Sequence, residues 1–223
     1  MKTTLAFDVY GTLIDTQGVL RTLEKWLETS DALSVSKLWR EKQLEYSFRR
    51  GLMRDYVDFS VCTKDALEYA LLDQKVELND EQKIQLMNVY KALPAFDDVV
   101  PALEALKEKD MALYAFSNGS SEAVSGLLKQ AGIYHYFDGV VSCADVQSFK
   151  PDPEVYEHFL RAADSTMDKA WLISSNPFDV TGSISAGFRS AWVKRDPNVV
   201  FDPWNIQPSA VVSSLKHVAQ VVG

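Results

Sequence analysis

The sequence predicts an α/β fold, with a doubly wound parallel sheet and an inserted block of helices. Three observations lead to this prediction. An apolar run, Leu5 to Phe7, is typical of a short buried strand and stops at Asp8. Residues 17–93 show only helical periodicity, and from residue 97 onward helical and strand-like segments alternate. Strands separated by helices imply right-handed crossovers and a parallel sheet that helices cover on both faces.

The helical block contains two local signals. Val19 and Leu23 belong to an apolar stripe with the spacing of one helix face. Asn79, followed by Gln82 three residues later, forms a capping-box pattern and predicts the start of a helix. The segment 38–46 mixes aromatic, apolar and charged residues on one predicted helix. Taken alone, that segment is most simply an interface helix whose Arg and Lys stems lie along apolar surface.

The alternating part predicts four more strands and five helices. The predicted strands are 112–116, 140–142, 171–173 and 191–193, and the predicted helices are 101–109, 121–130, 153–162, 177–186 and 213–221. Because the first strand precedes the helical block, the predicted Rossmann-like core comprises residues 1–16 and 95–223, with a cap domain at 17–94. A cap that leaves the sheet directly after the first strand lies over the carboxyl edge, where ligands bind in such folds.

Composition and charge exclude several kinds of function. The chain has 223 residues, of which 47% are hydrophobic and 24% charged, enough for a full core. A net charge of −8 disfavours a nucleic-acid partner. No apolar run approaches the ~20 residues of a membrane span, and the N-terminal apolar run is too short for a signal peptide, so we expect no membrane partner and a cytoplasmic location. Cys62 and Cys143 are expected to be reduced and partly buried, and the three His residues lack metal-ligand spacing.

Polar side chains stand at the ends of successive predicted strands. They are Asp8, Ser117 with Asn118, Lys150, Ser174 to Asn176, and Asp179. Asp8 alone is explained as well by a turn before Gly11 as by a nucleophile or a metal ligand. Helix capping, a solvated charge or an acid in a first helical turn explains each of the others singly. Their joint occurrence at one edge of a sheet is not well explained by capping and predicts an active site.

Five dispersed segments carry a family resemblance. They are Asp8 to Thr12, Leu38 to Arg40, Phe116 to Gly119, Lys150 to Asp152 with Tyr156, and Ser174 to Asn176 with Asp179. The order of Asp, Ser, Lys and Asp at strand ends resembles the haloacid dehalogenase superfamily, in which the first Asp is a covalent nucleophile. The five segments together are most similar to the type II (S)-2-haloacid dehalogenases. The resemblance covers essentially the whole chain.

The leaving group separates two activities within that superfamily. A phosphatase needs an acid two residues after the nucleophile, and usually Mg²⁺, whereas this chain has Tyr10 there. Halide leaves unprotonated, and Lys150 and Arg40 can neutralise a monoanionic haloacid without metal. We therefore expect a hydrolase that acts on carbon–halide bonds, with no metal and no cofactor. The alternatives are a Mg²⁺-dependent small-molecule phosphatase of the same fold and a non-catalytic module that binds small anions.

The resemblance implies a reaction and its groups. Asp8 would attack C2 of an (S)-2-haloalkanoate to give an ester and free halide, and Asp179 would activate the water that releases an (R)-2-hydroxy acid. Arg40 and Asn118 would face the departing halide. The substrate carboxylate would be held by Ser117 and by backbone N–H groups of the turn Tyr10, Gly11 and Thr12.

The resemblance also assigns supporting residues. Those that would orient Asp8 and hold it as a carboxylate are Thr12, Lys150, Tyr156, Ser174 and Asn176. Those that would form the substrate pocket walls are Tyr10, Leu44, Phe59 and Phe178. Family members commonly pair through their caps, so the resemblance implies a homodimer.

Two positions depart from the family pattern. Phe178 stands where many members have Trp, which leaves halogen and chain-length preference open. Glu41 follows Arg40 where Gln is expected, and an acid there is unfavourable near an anionic substrate unless it points away or pairs with a base.

Overall fold

The computed structural model of the chain describes residues 2–222 and confirms the predicted fold class. Its strands are β1 Thr4–Asp8, β2 Ala112–Ser117, β3 Gly139–Ser142, β4 Ala170–Ser174, β5 Arg189–Val193 and β6 Ala210–Val212. They form one parallel sheet in the order β3-β2-β1-β4-β5-β6. The chain proceeds outward from β1 to β3 and then, from β4, in the opposite direction. The order therefore reverses between β1 and β4, where such sheets bind ligands.

The helices occupy the connections between strands. They are α1 Gln17–Leu23, α2 Thr29–Met53, α3 Phe59–Gln74, α4 Asp80–Val89, α5 Val99–Glu108, α6 Ser121–Gln130, α7 Pro153–Ala162, α8 Pro177–Ser185 and α9 Val218–Val221. We call α1–α4 the helical insertion. It leaves the core directly after β1, as the helical periodicity predicted. The division into separate core and cap domains at residues 16 and 94 stays a prediction.

The sheet is buried on both faces, which explains why its strands are short apolar runs. Leu5 and Phe7 of β1 belong to the core on one face, together with Leu103 of α5. Ala6 points to the opposite face, where Phe159 of α7 packs. This alternation has the period of two that a strand requires. Because β1 is central and fully buried, the residue that ends it has a rigid support.

The helices near the site begin where the sequence signals place them. In α4 the Asn79–Gln82 capping box is formed, as predicted. Pro177 begins α8 at a position where no N–H is needed, and Asp152 caps α7 in front of Pro153. Both α7 and α8 therefore start at the carboxyl edge of the sheet.

The C-terminal segment differs from the prediction. Edge strand β6, which was not predicted, precedes this segment, and instead of one helix over 213–221 the chain forms a 3₁₀ turn at Leu215–His217 and the short α9. The side chain of Ser214 and the N–H of Leu215 both donate to Asp98 at 2.8 Å, which fixes the turn. A three-residue edge strand is too short for its periodicity to be recognised in a sequence.

Two further expectations concern the chain as a whole. Cys62 and Cys143 are unpaired, as predicted, and both are fully rather than partly buried. Among the helices of residues 2–222, none combines the length and the apolar character that crossing a bilayer requires.

Candidate active site

Asp8 ends β1 and lies at the carboxyl edge of the sheet, only 8% exposed. The hydroxyl of Thr12 and the Nδ2 of Asn176 each donate to its Oδ2 at 2.7 Å. Nζ of Lys150 lies 3.3 Å from its Oδ1. These donors come from three separate segments of the chain. They fix the orientation of the Asp8 carboxylate and leave Oδ1 with the single, longer contact.

Lys150 is buried between two carboxylates. Its Nζ donates to Oδ2 of Asp179 at 2.8 Å and to the carbonyl oxygen of Phe116 at 2.9 Å, in addition to its contact with Asp8. Burial lowers the pKa of Lys150, but the carboxylates of Asp179 and Asp8 outweigh burial and leave that pKa raised. Lys150 is therefore a buried ammonium, and the interpretation of a solvated surface charge is wrong.

Asp179, in the first turn of α8, lies behind Lys150 rather than at the surface of the cavity. It is completely buried, and both of its carboxyl oxygens are occupied. Oδ2 accepts from Lys150, and Oδ1 accepts from the hydroxyl of Tyr156 at 2.8 Å. Burial raises the pKa of Asp179, and Lys150 offsets this increase only in part. A carboxylate with a raised pKa is a stronger base than an exposed Asp.

The turn after β1 uses one of the N–H groups that were expected to bind substrate. Gly11 has φ +81°, a left-handed conformation that favours glycine, and its N–H donates to the carbonyl oxygen of Ile14 at 2.8 Å. Gly11 also does not line the cavity. The predicted substrate-binding role of Gly11 is therefore wrong, and its contribution is the shape of the turn. The N–H of Thr12 contacts the carbonyl oxygen of Val9 at 3.3 Å, whereas the N–H of Tyr10 donates to no described residue.

The loop after β4 fixes the direction of the hydrogen bonds around Asp8. The N–H of Ser175 donates to the hydroxyl oxygen of Thr12 at 2.8 Å, so the hydrogen of that hydroxyl is directed to Asp8. Ser174 accepts from the N–H of Asn176 at 3.1 Å. Ser175 received no role in the sequence analysis, although it lies inside the motif between two residues that did.

Arg40 reaches the site from α2 and belongs to a chain of oriented hydrogen bonds. Its Nη2 lies 3.4 Å from Oδ1 of Asn176, and its Nη1 donates to Oε1 of Gln43 at 2.7 Å. Nε2 of Gln43 donates to Thr63 at 2.6 Å, and Thr63 donates to the carbonyl oxygen of Phe59 at 2.9 Å. Because Thr63 uses its hydrogen on Phe59, it must accept from Gln43, which turns the Gln43 oxygen towards Arg40.

Gln43 and Thr63 were missed by sequence reasoning. A signal exists for Gln43, because it lies three residues after Arg40 and hence on the same face of the helix. No comparable signal exists for Thr63, which lies on α3 and meets Gln43 only through the packing of two helices.

The side chains around Asp8 enclose a cavity of about 20 Å³. Its lining residues are Asp8, Tyr10, Arg40, Leu44, Phe59, Ser117, Asn118, Lys150, Asn176 and Phe178. The list contains every residue predicted to bind substrate except Gly11. Of the predicted catalytic residues, the structure places Thr12, Tyr156, Ser174 and Asp179 behind this lining. Thr12 contacts Asp8, Tyr156 contacts Asp179, and Ser174 contacts the backbone N–H of Asn176.

Ser117 and Asn118 present hydrogen-bond donors to the cavity. Oδ1 of Asn118 accepts from the backbone N–H of Lys150 at 2.9 Å, so its NH₂ group is the free end of the amide. The hydroxyl oxygen of Ser117 accepts from the N–H of Gly119 at 3.2 Å and retains its hydrogen for a ligand. Capping does not explain Ser117, because Ser120 is the residue that caps α6.

The structure shows where the two residues that depart from the family pattern, Glu41 and Phe178, lie relative to the cavity. Glu41 is exposed on α2 and lies 4.0 Å from Lys37, so it points away from the cavity. Phe178 packs edge-to-face against Phe48, with ring centroids 5.1 Å apart, and this pair closes one side of the cavity.

The positive charge at this site comes from side chains. Nζ of Lys150 occupies the position between the Asp8 and Asp179 carboxylates. Within residues 2–222, no group of three or more His, Cys, Asp and Glu side chains is arranged as a metal site. A doubly wound sheet, a helical insertion at its carboxyl edge and a buried carboxylate at the end of β1 together define a class of hydrolase with a carboxylate nucleophile.

Comparison with known proteins gives the family. A model of the haloacid dehalogenase-like hydrolases matches residues 2–187, and the chain belongs to this family. The (S)-2-haloacid dehalogenase of Pseudomonas sp. strain YL is 34% identical over 217 residues, covering 97% of this chain and 93% of the relative. Haloacetate dehalogenase H-2 of Moraxella sp. strain B is 32% identical, with 98% and 96% coverage.

Solved structures extend the similarity to the three-dimensional fold. The L-2-haloacid dehalogenase from Xanthobacter autotrophicus with chloropropionic acid covalently bound has a TM-score of 0.91 with this chain. The two sequences are 28% identical, and the match covers 100% of this chain and 98% of the other. In that structure the acid is bound covalently.

Proposed function

We propose that this protein hydrolyses (S)-2-haloalkanoic acids to (R)-2-hydroxy acids and halide through an ester on Asp8. The observation that carries the proposal is the Asp8 carboxylate itself, held by Thr12, Asn176 and Lys150 in a cavity that Arg40 also lines. A fixed carboxylate beside two cations suits displacement on an anionic substrate. The names of the relatives, which are haloacid dehalogenases, support the same reaction.

In the first half-reaction, Oδ1 of Asp8 attacks C2 in line with the carbon–halogen bond. Oδ1 has only the 3.3 Å contact with Lys150, whereas Oδ2 accepts two hydrogen bonds of 2.7 Å. The lone pairs of Oδ1 are therefore the more available. The electron pair of the carbon–halogen bond leaves with the halide, and C2 is inverted.

The substrate carboxylate and the departing halide need hydrogen-bond donors on different sides of C2. The guanidinium of Arg40 and the free NH₂ group of Asn118 line the cavity and would receive the halide. The Ser117 hydroxyl and the N–H of Tyr10 would hold the carboxylate. This assignment replaces the earlier expectation for Gly11, whose N–H is already used within the turn.

In the second half-reaction, water attacks the carboxyl carbon of the Asp8 ester. Asp179 exchanges its contact with Lys150 for the proton of that water, a role that its raised pKa favours, and the proton then passes to the oxygen of the departing hydroxy acid. The water would approach on the side of Lys150 and Asp179, since the opposite oxygen of Asp8 is enclosed by Thr12 and Asn176. Tyr156 keeps Asp179 in position through its 2.8 Å hydrogen bond.

The test follows oxygen under single-turnover conditions in ¹⁸O-water, with enzyme in excess. An ester on Asp8 places the Asp8 oxygen in the product, so the label should enter the peptide that contains Asp8 and be largely absent from the hydroxy acid. Direct attack of water on C2 gives the reverse distribution. Label in the product and none in the enzyme would reject Asp8 as the nucleophile.

A second assay separates this activity from the alternatives. Halide release from 2-chloropropionate should proceed in the presence of a metal chelator, since Lys150 and Arg40 supply the positive charge. Phosphate release from aryl phosphates that requires Mg²⁺, without halide release from the haloacid, would instead support the phosphatase. Binding of the haloacid without turnover would support the anion-binding module.

The proposal includes a cap domain at residues 17–94, a cytoplasmic location and a homodimer. The homodimer rests on the family resemblance, and Leu72, 78% exposed on α3, offers a surface position at which to test it. Sedimentation of the purified protein, compared with a Leu72→Glu variant, tests the dimer. A monomeric wild-type protein at micromolar concentration would reject it.

A further inference from the structure

We propose that a cleft beside the active site binds the alkyl chain of the substrate, so that the preferred substrates are 2-haloalkanoates longer than 2-halopropionate. This inference rests on the proposed function and adds the substrate class. The cleft has a volume of about 270 Å³ and lies between the helical insertion and the core.

The cleft adjoins the active-site cavity. Tyr10 and Phe59 line both spaces, one from the turn after β1 and the other from the start of α3. The cavity at Asp8 measures about 20 Å³, room for on the order of one water. A carbon chain attached to C2 therefore needs space outside that cavity.

The arrangement of groups around C2 selects this direction. In the proposed reaction, Asp8 approaches from one side, Arg40 and Asn118 receive the halide, and Ser117 binds the carboxylate. The alkyl group is left facing the wall formed by Tyr10 and Phe59, and the cleft begins behind these two residues.

The walls of the cleft suit an uncharged chain. Phe59, Met87, Tyr90 and Ala123 form the apolar part of the lining, which also contains Asp58 and Lys91. Tyr10 packs edge-to-face against Tyr90 at a centroid distance of 6.0 Å. Burial raises the pKa of both tyrosines to about 12, so both rings face the cleft as neutral phenols. An alkyl chain therefore leaves water for aromatic and thioether surface.

A second space on the opposite side of the site is the competing location. It is a groove of about 710 Å³ that shares Lys150 and Phe178 with the cavity. Lys150 is held by three hydrogen bonds, and Phe178 is packed against Phe48. Lys150 cannot move out of the path from C2 to the groove without losing its three hydrogen bonds, whereas the side chains of Tyr10 and Phe59 are held by aromatic packing, against Tyr90 and Phe149.

The experiment measures kcat/KM for (S)-2-bromo acids from propionate to butyrate, hexanoate and octanoate. Each buried methylene should raise kcat/KM by up to about fourfold until the cleft is filled. Ala123→Phe, which fills the cleft from α6, should remove the gain for the longer acids and leave 2-bromopropionate turnover close to that of the wild type. Glu122→Phe, on the same helix but outside the cleft, is the matched control and should keep the gain.

Ser185→Phe fills the competing groove and should also keep the gain. The proposal is overturned if kcat/KM does not rise with chain length, or if Ser185→Phe removes the gain and Ala123→Phe does not. Absence of turnover with every acid, including 2-bromopropionate, would instead refute the proposed function, so the two failures are distinguishable.

Discussion

Replacing Gly182 by alanine adds a single methyl group and tests the close packing of α7 and α8 behind the active site. It lies in α8, three residues after Asp179, and faces α7. A Cβ atom added at Gly182 would lie 2.4 Å from Cβ of Pro151 and 2.7 Å from the hydroxyl of Tyr156. Carbon atoms in contact prefer about 3.5–4.0 Å. Gly182→Ala must therefore displace α7 or the Tyr156 hydroxyl that holds Asp179.

The magnitude follows from two opposing effects. Glycine in a helix interior costs roughly 1 kcal/mol relative to alanine, which favours the substitution. Overpacking costs about 1–3 kcal/mol, and the 2.4 Å approach between two carbon atoms places Gly182→Ala at the upper end of that range. The net loss of about 2 kcal/mol should lower Tm by roughly 4–8 °C in a chain of this size.

The effect on turnover should exceed the effect on binding. Tyr156 and Asp179 lie behind the cavity lining, so KM should change little, whereas a displacement of about 1 Å can reduce kcat on the order of a hundredfold. Thermal unfolding and steady-state halide release measure the two quantities.

Gly126→Ala is the matched control, because a Cβ added at Gly126 in α6 meets no atom within 4 Å. That substitution should raise stability by roughly 0.5–1 kcal/mol and leave kcat unchanged. If Gly182→Ala were as stable and as active as Gly126→Ala, the close packing inferred between α7 and α8 would be wrong.

Three further predictions concern the site itself. Asp8→Asn should abolish halide release while circular dichroism shows a retained fold, since the amide is isosteric but a poor nucleophile; near-normal rates would contradict the ester mechanism. Thr63→Val should lower kcat/KM roughly tenfold because Gln43 loses its acceptor, whereas Thr63→Ser should not, and equal values in the two variants would reject the oriented chain. Asp179 must be ionised to act as a base, and its pKa is raised. As the pH is lowered, kcat should therefore begin to fall at a pH above the usual pKa range of an Asp. Tyr156→Phe removes a hydrogen bond that lowers the pKa of Asp179, so that acid limb of the pH profile should move to higher pH, and an unchanged limb would count against Asp179 as the base.

The positions of Asp8 and Lys150 were predictable because short-range patterns and a topological rule together determine them. The apolar run of β1 ends at Asp8, and parallel strands bring their carboxyl ends to one edge. The third strand was predicted from its apolar run, and a helix start directly after Lys150 places that residue at the same edge. Nothing beyond strand ends and crossovers is needed for this part of the site.

Other features depend on packing that no local pattern specifies. The contact between Gln43 and Thr63 requires the relative rotation of α2 and α3, and each residue alone is an ordinary polar residue on a helix. The position of Asp179 behind Lys150 requires the close approach of α7 and α8 that Gly182 permits. The partner of the Gly11 N–H could not be predicted, because the turn pairs it with Ile14, three residues later, and no local pattern indicates this pairing.

The charges at the site explain why two cations are needed at different depths. In the free enzyme, Asp8 and Asp179 carry two negative charges, which Lys150 and Arg40 balance. The substrate carboxylate adds a third negative charge, and formation of the ester transfers the charge of Asp8 to the halide beside Arg40. Once the halide leaves, the substrate carboxylate and Asp179 again balance the two cations. In the proposed mechanism, Lys150 then remains paired with Asp179 alone, so its ammonium would polarise the ester carbonyl while Asp179 accepts the proton of the attacking water. An uncharged residue at position 150 would leave Arg40 as the one counterion for the two acids of this buried site, and one of the acids would bind a proton and lose its role in the reaction.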